Sequence, residues 1–167
     1  MSKIKYLMLF AVMAVSCSQR KNNLMYSYSY NDLAAVMKEP SLTMEDSSNK
    51  NYCLKLNEFV PYGITWKMSF RDIEKGINKV IVKARIKTSS KECKGRIVCA
   101  IDKAGKNIFW DGISLLDFAP NPGEWTEVIG TFVLHDLNDD NNVLVIYPLN
   151  DGKGDILFDD LTIELIK

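Results

Sequence analysis

The sequence predicts an all-β protein, a two-sheet antiparallel β-sandwich, on three observations. Apolar residues recur with period two through most of the chain, turn-forming residues separate the runs at short intervals, and helical periodicity is almost absent. Many short strands with frequent turns suit a sandwich or a barrel, and the sandwich is the architecture expected here.

Each run supports this reading. Between Ile77 and Thr88, Val80, Val82, Ala84 and Ile86 share one face, while Lys79, Lys83, Arg85 and Lys87 share the other with Ile81. One face is therefore core and the other solvated. From Gly63 to Arg71 the same parity groups Ile64, Trp66, Met68 and Phe70, which places Trp66 inside. Further runs cover Asn51 to Phe59, Gly95 to Lys103, Trp125 to Leu134, Val143 to Leu149 and Asp155 to Ile166. Turns are expected at Ala104-Gly105-Lys106 and at Pro120-Asn121-Pro122-Gly123, and Asn150-Asp151-Gly152 reads as a hairpin. Helix is confined to a short turn within Asp32 to Lys38. Tyr26, Tyr28 and Tyr30 alternate with serines and could form a stacking platform, though a half-buried edge strand is the favoured reading.

The first residues have a different character. Lys3 and Lys5 precede an apolar run from Tyr6 to Val15, the layout of a secretory signal. The run is about ten residues, half of what a membrane-spanning helix needs. It closes on Ala14-Val15-Ser16-Cys17, which resembles the bacterial lipobox. That resemblance implies cleavage before Cys17 and acylation of Cys17. Residues 1–16 are thus expected to be a lipoprotein signal peptide, residues 17–23 a lipidated terminus and polar tether, and residues 24–167 a single β-sandwich domain of the cell envelope. Contact with the membrane would run through the lipid anchor only. The basic stretch Ser18-Gln19-Arg20-Lys21 leaves the periplasmic side and the cell surface both open.

The 21 basic and 21 acidic residues cancel, so no bulk attraction to nucleic acid is expected. Beyond Cys17 the cysteines are Cys53, Cys93 and Cys99. Cys93 and Cys99 lie on one extended stretch, about 20 Å end to end, too far to bridge without a tight turn. Cys53 with Cys93 is the more plausible pair if any disulfide forms, and Cys99, alternating with Ile97 and Ile101, reads as a small buried hydrophobe. None has metal-site spacing. His135 stands beside Asp136 without a nucleophile elbow, which argues against a nucleophilic triad. Asp136, Asn138, Asp140 and Asn142 have the alternation of an EF-hand start, but Asn141 replaces the turn glycine and Tyr147 the bidentate glutamate, so the segment reads as a solvated turn.

Towards the C-terminus the order Gly123-Glu124-Trp125-Thr126-Glu127-Val128, Gly130-Thr131-Phe132, Val143-Leu144-Val145-Ile146-Tyr147 and Ile156-Leu157-Phe158-Asp159-Asp160-Leu161-Thr162-Ile163 resembles the closing half of the galactose-binding-like jelly roll. It is most similar to carbohydrate-binding modules of families four, nine and twenty-two. The resemblance implies a non-catalytic domain that binds a glycan or polysaccharide, often with a structural calcium. In those modules the terminal Asp-Asp pair supplies a calcium ligand, here Asp159 or Asp160. Tyr30-Asn31-Asp32 is the nearest counterpart of the acidic residue at the end of their first strand. Strand parity groups Asp159 with Leu157, Leu161, Ile163 and Leu165, where a carboxylate needs a cation, a partner or backbone amides.

Sugar recognition needs exposed aromatic faces with polar groups nearby. Trp110, Tyr147 and Tyr62 are the candidates, and each could equally pack in the core. Trp125 reads as core or edge packing. The stripe of Lys79, Lys83, Arg85 and Lys87 could contact an acidic polysaccharide, though such a stripe is more often a solvated face. The rival to a glycan-binding domain is a structural or protein-interaction lipoprotein, with an envelope protein as partner and no sugar site. Whether the three rings converge on the surface discriminates the two.

Overall fold

The computed structural model describes residues 24–27, 30–36, 38–44, 51–118, 121–134 and 139–167. The signal segment, Cys17, Tyr28 and residues 135–138, His135 included, lie outside the described residues.

Among these residues the chain folds as two antiparallel sheets. The first is built from β2 (Leu42–Thr43), β3 (Cys53–Leu56), β10 (Ile156–Ile166), β5 (Lys79–Thr88) and β8 (Thr126–Val133) in that order, with β1 (Leu24–Ser27) also pairing with β10. The second runs β4 (Trp66–Ser69), β9 (Asn142–Asn150), β6 (Gly95–Lys103) and β7 (Lys106–Ser114). A short helix, α1 (Tyr30–Val36), begins slightly before the turn expected from the sequence and places Tyr30 in the core. The tyrosine row thus ends in helix. Tyr26 keeps its strand position, with its ring tilted 5.4 Å from that of Trp66.

The expected parity holds where strands are regular. Val80, Val82, Ala84 and Ile86 of β5 meet Ile97, Cys99 and Ile101 of β6, Leu144 and Ile146 of β9, and Trp66 in one buried cluster. Each large side chain so buried contributes about 1.5–3 kcal/mol. The sheets approach closely at Gly130, where an added Cβ would overlap Ile113 Cδ1, so Ile113 occupies the space a β8 side chain would need. Cys53, Cys93 and Cys99 are all buried and no disulfide joins them. Burial, with the charge of Asp111 behind it, pushes the Cys99 thiol up to about 12. It is the small hydrophobe its alternation suggested. Trp125 packs half-buried at the edge with the Arg85 guanidinium 5.3 Å from its ring centroid.

Three features depart from the sequence reading. The segment after the Ala104-Gly105 turn is a full strand, β7, paired with β6 from Lys103↔Lys106 to Arg96↔Ser114. Ala104 and Gly105 both have positive φ, 49° and 76°, the backbone of a tight hairpin turn. Second, Asn150-Asp151-Gly152 is a crossover from β9 in one sheet to β10 in the other, not a hairpin. The Asn150 side chain is what this turn serves. Buried at 1% exposure, its Oδ1 accepts from Gly152 N (3.0 Å) and Lys94 N (3.3 Å), and its Nδ2 donates to Gly154 O (2.9 Å) and Leu56 O (3.4 Å).

Third, β10 contains a bulge. Its register with β5 runs Phe158↔Ile86 and Asp159↔Arg85, then resumes at Thr162↔Lys83, with Asp160 at φ 53°. The extra residue flips the parity of everything after it. Ile156 and Phe158 face the core before the bulge, and Leu161, Ile163 and Leu165 after it. Asp159 is therefore not on the apolar core face with Leu161, Ile163 and Leu165, as uninterrupted alternation implied. It lies opposite Arg85, on the outer side. Its Oδ1 accepts the Asp160 amide at 2.9 Å. Burial raises its carboxyl above the usual range, with the Asp160 amide and Arg85 acting in the opposite sense.

Two outcomes follow for stability. Asn150→Ala leaves buried amides and carbonyls at four places without their partner, and the urea midpoint should fall by the equivalent of about 2–3 kcal/mol. For Asp159 the folded carboxyl binds its proton more tightly than the unfolded one. Its ionisation therefore costs stability as pH rises from below the unfolded value through the raised folded value. Asp159→Asn, which keeps the acceptor for the Asp160 amide, should raise the melting temperature at pH 7 and leave it unchanged at pH 3.

Candidate functional site

The outer face of the β4-β9-β6-β7 sheet is apolar where a solvated face would be expected. β9 turns Val143, Val145, Tyr147 and Leu149 outward, and β6 turns Val98 and Ala100 outward between Arg96 and Asp102. Val98, Ala100, Val145 and Leu149 form a second buried cluster, with Val143 and Tyr147 packed against it. Val98 is fully buried although it points away from the main core. Its register neighbours explain this: Tyr147 stands on one side and Gly112 on the other.

Gly112 is the residue that makes room. An added Cβ there would sit 3.1 Å from Trp110 Cη2 and 3.4 Å from Arg96 Cδ, so the indole of Trp110 lies over the bare backbone of its own strand. From that position Trp110 Nε1 donates to the Tyr147 hydroxyl at 3.2 Å, reaching across β6. Tyr62 completes the row. It forms a β-bridge with Leu149, and its ring centroid lies 6.1 Å from that of Tyr147 at an interplanar angle of 50°. The bridge is held on both sides, by Gly63 N donating to Pro148 O (3.0 Å) and Asn150 N donating to Pro61 O (2.8 Å). Tyr62 is 60% exposed and Trp110 46%.

All three rings named from the sequence are thus brought together on one surface. Arg96 belongs with them, its guanidinium 5.9 Å from the Trp110 ring centroid and its Nε 3.8 Å from Asp151 Oδ2. The sequence reading passed over Arg96 and Gly112. Only the β6–β7 register, which sets Gly112 beside Val98 and Trp110 beside Ala100, could have shown their part.

Asp102 and Asp151, at opposite ends of this face, do not form a hydrolytic pair with each other. Asp102 accepts from Asn107 Nδ2 at 3.4 Å, and Asp151 stands beside Arg96 at the other end of the strand. They are more than about 20 Å apart at the strand rise, whereas a glycosidase pair stands roughly 5–10 Å apart.

Asp32, Asp159 and Asp160 do not assemble as the calcium expectation required. Among the described residues no group of three His, Cys, Asp or Glu side chains is placed to hold a metal. Asp32 is exposed on α1, Asp160 pairs with Arg85 at 3.5 Å, and Asp159 is engaged with the Asp160 amide. The acidic segment before β9 is a turn in its described part, with Asn142 N donating to Asp139 O (3.0 Å) and Asn141 N donating to Asp139 Oδ1 (2.9 Å). The Lys103 ammonium, 2.6 Å away, and the amide of Asn141 hold the Asp139 carboxyl down at about 2.

No protein-family model and no curated protein matches the chain. Solved structures do. The CBM22-1 xylan-binding domain of Paenibacillus barcinonensis Xyn10C superposes with a TM-score of 0.55 at 15% identity, covering 88% of this chain and 97% of that domain. The tandem CBM22-1-CBM22-2 structure from the same protein gives a TM-score of 0.52 at 14% identity, over 90% of this chain and 47% of that one. The C-terminal family 22 carbohydrate-binding module of Clostridium thermocellum Xyn10B gives 0.50 at 11% identity, over 75% and 79%. With its two antiparallel sheets, the chain has the galactose-binding-like, jelly-roll β-sandwich fold of these carbohydrate-binding modules.

Proposed function

We propose that this protein is a non-catalytic carbohydrate-binding domain that holds a polysaccharide or glycan on the Tyr62–Tyr147–Trp110 face. The observation that carries the reading is the convergence of three partly exposed rings over an apolar floor on one sheet. Sugar rings present C–H groups on their faces and hydroxyls at their rims. An aromatic surface suits the former, and Arg96, Ser114 and Lys67, which share the face by register, suit the latter. The bridge that holds Tyr62 and the bond from Trp110 to Tyr147 fix the rings before a ligand arrives, which reduces the ordering cost of binding. The xylan-binding domain with the same fold supports the reading.

We further propose that the domain is lipid-anchored to a membrane of the bacterial cell envelope. Support comes from the sequence: Lys3 and Lys5, the apolar run to Val15, and Cys17 after Ala14-Val15-Ser16. More than one acyl chain at Cys17 would make the tether firm. Metabolic labelling with a radioactive fatty acid should mark the protein, and Cys17→Ser should abolish both the label and sedimentation with membranes.

A glycan-array screen of the purified protein tests the main reading. Binding to a defined glycan class should weaken by at least about tenfold in Trp110→Ala and in Tyr147→Ala, with both variants shown to be folded. A folded protein that binds nothing on the array would sink the reading and favour a protein-interaction role, to be pursued by pull-down from envelope extracts.

A further inference from the structure

The register of the outer face arranges its side chains as two crossing diagonals. Tyr147 on β9 is the crossing point. Tyr62, bridged to Leu149 on the β4 side, and Trp110, beside Ala100 on the β7 side, lie along one diagonal. Lys67 of β4, opposite Val145, and Arg96 of β6, opposite Leu149, lie along the other. At the spacing of strands, about 4.8 Å across and about 7 Å between alternate residues, each cation stands one step to either side of the central tyrosine.

Both cations have capacity to spare. Lys67 is exposed and has no ion pair among the described residues. Arg96 approaches Asp151 only at 3.8 Å, beyond hydrogen-bond length, and its guanidinium makes no hydrogen bond among the described residues. Trp110 holds the guanidinium in place through its ring face without using its N–H donors. On the outer face of the opposite sheet Lys55 pairs with Asp155 at 3.0 Å, and Arg85 is within hydrogen-bond reach of Asp160 at 3.5 Å. A fixed, planar fork of unspent donors beside a stacking surface is suited to a carboxylate or sulfate, which it can bind with two parallel charge-assisted bonds.

We propose that the glycan recognised here is anionic, a polysaccharide whose sugars carry a carboxylate or a sulfate, read by Arg96 and Lys67 while the rings take the sugar faces. The inference rests on the glycan-binding reading and narrows its ligand.

Isothermal titration calorimetry of the full protein with three polymers tests it: polygalacturonate for the carboxylate, a sulfated galactan for the sulfate, and neutral xylan. One of the anionic polymers should bind at least about tenfold more tightly than xylan at low salt, and the preference should shrink at high salt. Arg96→Gln and Lys67→Gln should each lower the ratio of anionic to neutral affinity severalfold, and Arg96→Lys should restore less of it than a charge count alone predicts. Melting temperatures close to that of the parent protein confirm that the variants are folded. Preference for polygalacturonate assigns the carboxylate, and preference for the galactan the sulfate. Equal affinity for xylan and both anionic polymers, or a preference unchanged in the Lys67→Gln/Arg96→Gln double variant, overturns the anionic assignment and leaves the glycan reading in place. If the folded protein binds none of the three, both are overturned.

Discussion

Strand β6 is apolar on both faces, and that constraint organises the second sheet. Ile97, Cys99 and Ile101 face the main core, while Val98 and Ala100 face outward and, among the described residues, pack in a separate cluster with Val145, Leu149, Val143 and Tyr147 of the same sheet. Leaving two such side chains in water would forfeit the benefit of burial, about 0.8 kcal/mol per methylene equivalent. The cover comes from neighbours within the same sheet. Tyr147 and Trp110 meet over the strand through the indole N–H, and the absence of a side chain at Gly112 lets the indole lie there. The rings that present a face to a sugar are thus the same rings that roof Val98. Structural cover and binding surface are one feature, and this explains why the surface is fixed in advance.

The other end of the platform depends on Asn150. Its side chain joins the turn after β9 to Leu56 of β3 in the opposite sheet and to Lys94 before β6, and its backbone amide holds Pro61. The segment carrying Tyr62 is pinned by that amide and by Pro148. One buried amide side chain, with its four hydrogen-bonding positions all used, therefore closes the sandwich and sets the height of the first ring. A polar residue so deeply placed is favourable only because every donor and acceptor is matched.

Much of this was legible in the sequence, and what was not has physical causes. The faces of β5 and β4 could be assigned because their alternation is unbroken, with Val80 to Ile86 and Trp66 to Phe70 in step. The face of Asp159 could not, because the bulge at Asp160 inserts one residue and reverses the parity on which the assignment rested. Asn150-Asp151-Gly152 has hairpin composition, yet composition specifies a reversal of the chain without saying whether the next strand joins the same sheet. Strand β7 is an edge strand with little apolar alternation, so its existence was hidden even though its turn was visible. Polar neighbours single out Trp110, and alternation with Val143 and Val145 singles out Tyr147. Their meeting depends on non-local register, Gly112 beside Val98 and Tyr62 beside Leu149, which no local pattern encodes.

The whole chain is neutral in formal charge, so selectivity for a ligand cannot come from a long-range field and must come from groups in contact. On the β3-β10-β5 face Lys55 pairs with Asp155 and Arg85 with Asp160, and ion pairs of this exposed kind contribute about 0–1 kcal/mol each. They keep that face soluble without marking it for a ligand. On the second sheet the charges are few and flank an apolar floor, with Arg96 beside both the Trp110 ring and Asp151, and Lys67 exposed without an ion pair among the described residues. A stripe of lysines looked the stronger electrostatic feature in the sequence, but what distinguishes a recognition surface is not the number of charges. It is whether the charges stand beside a stacking surface, as Lys67 and Arg96 do around Tyr147.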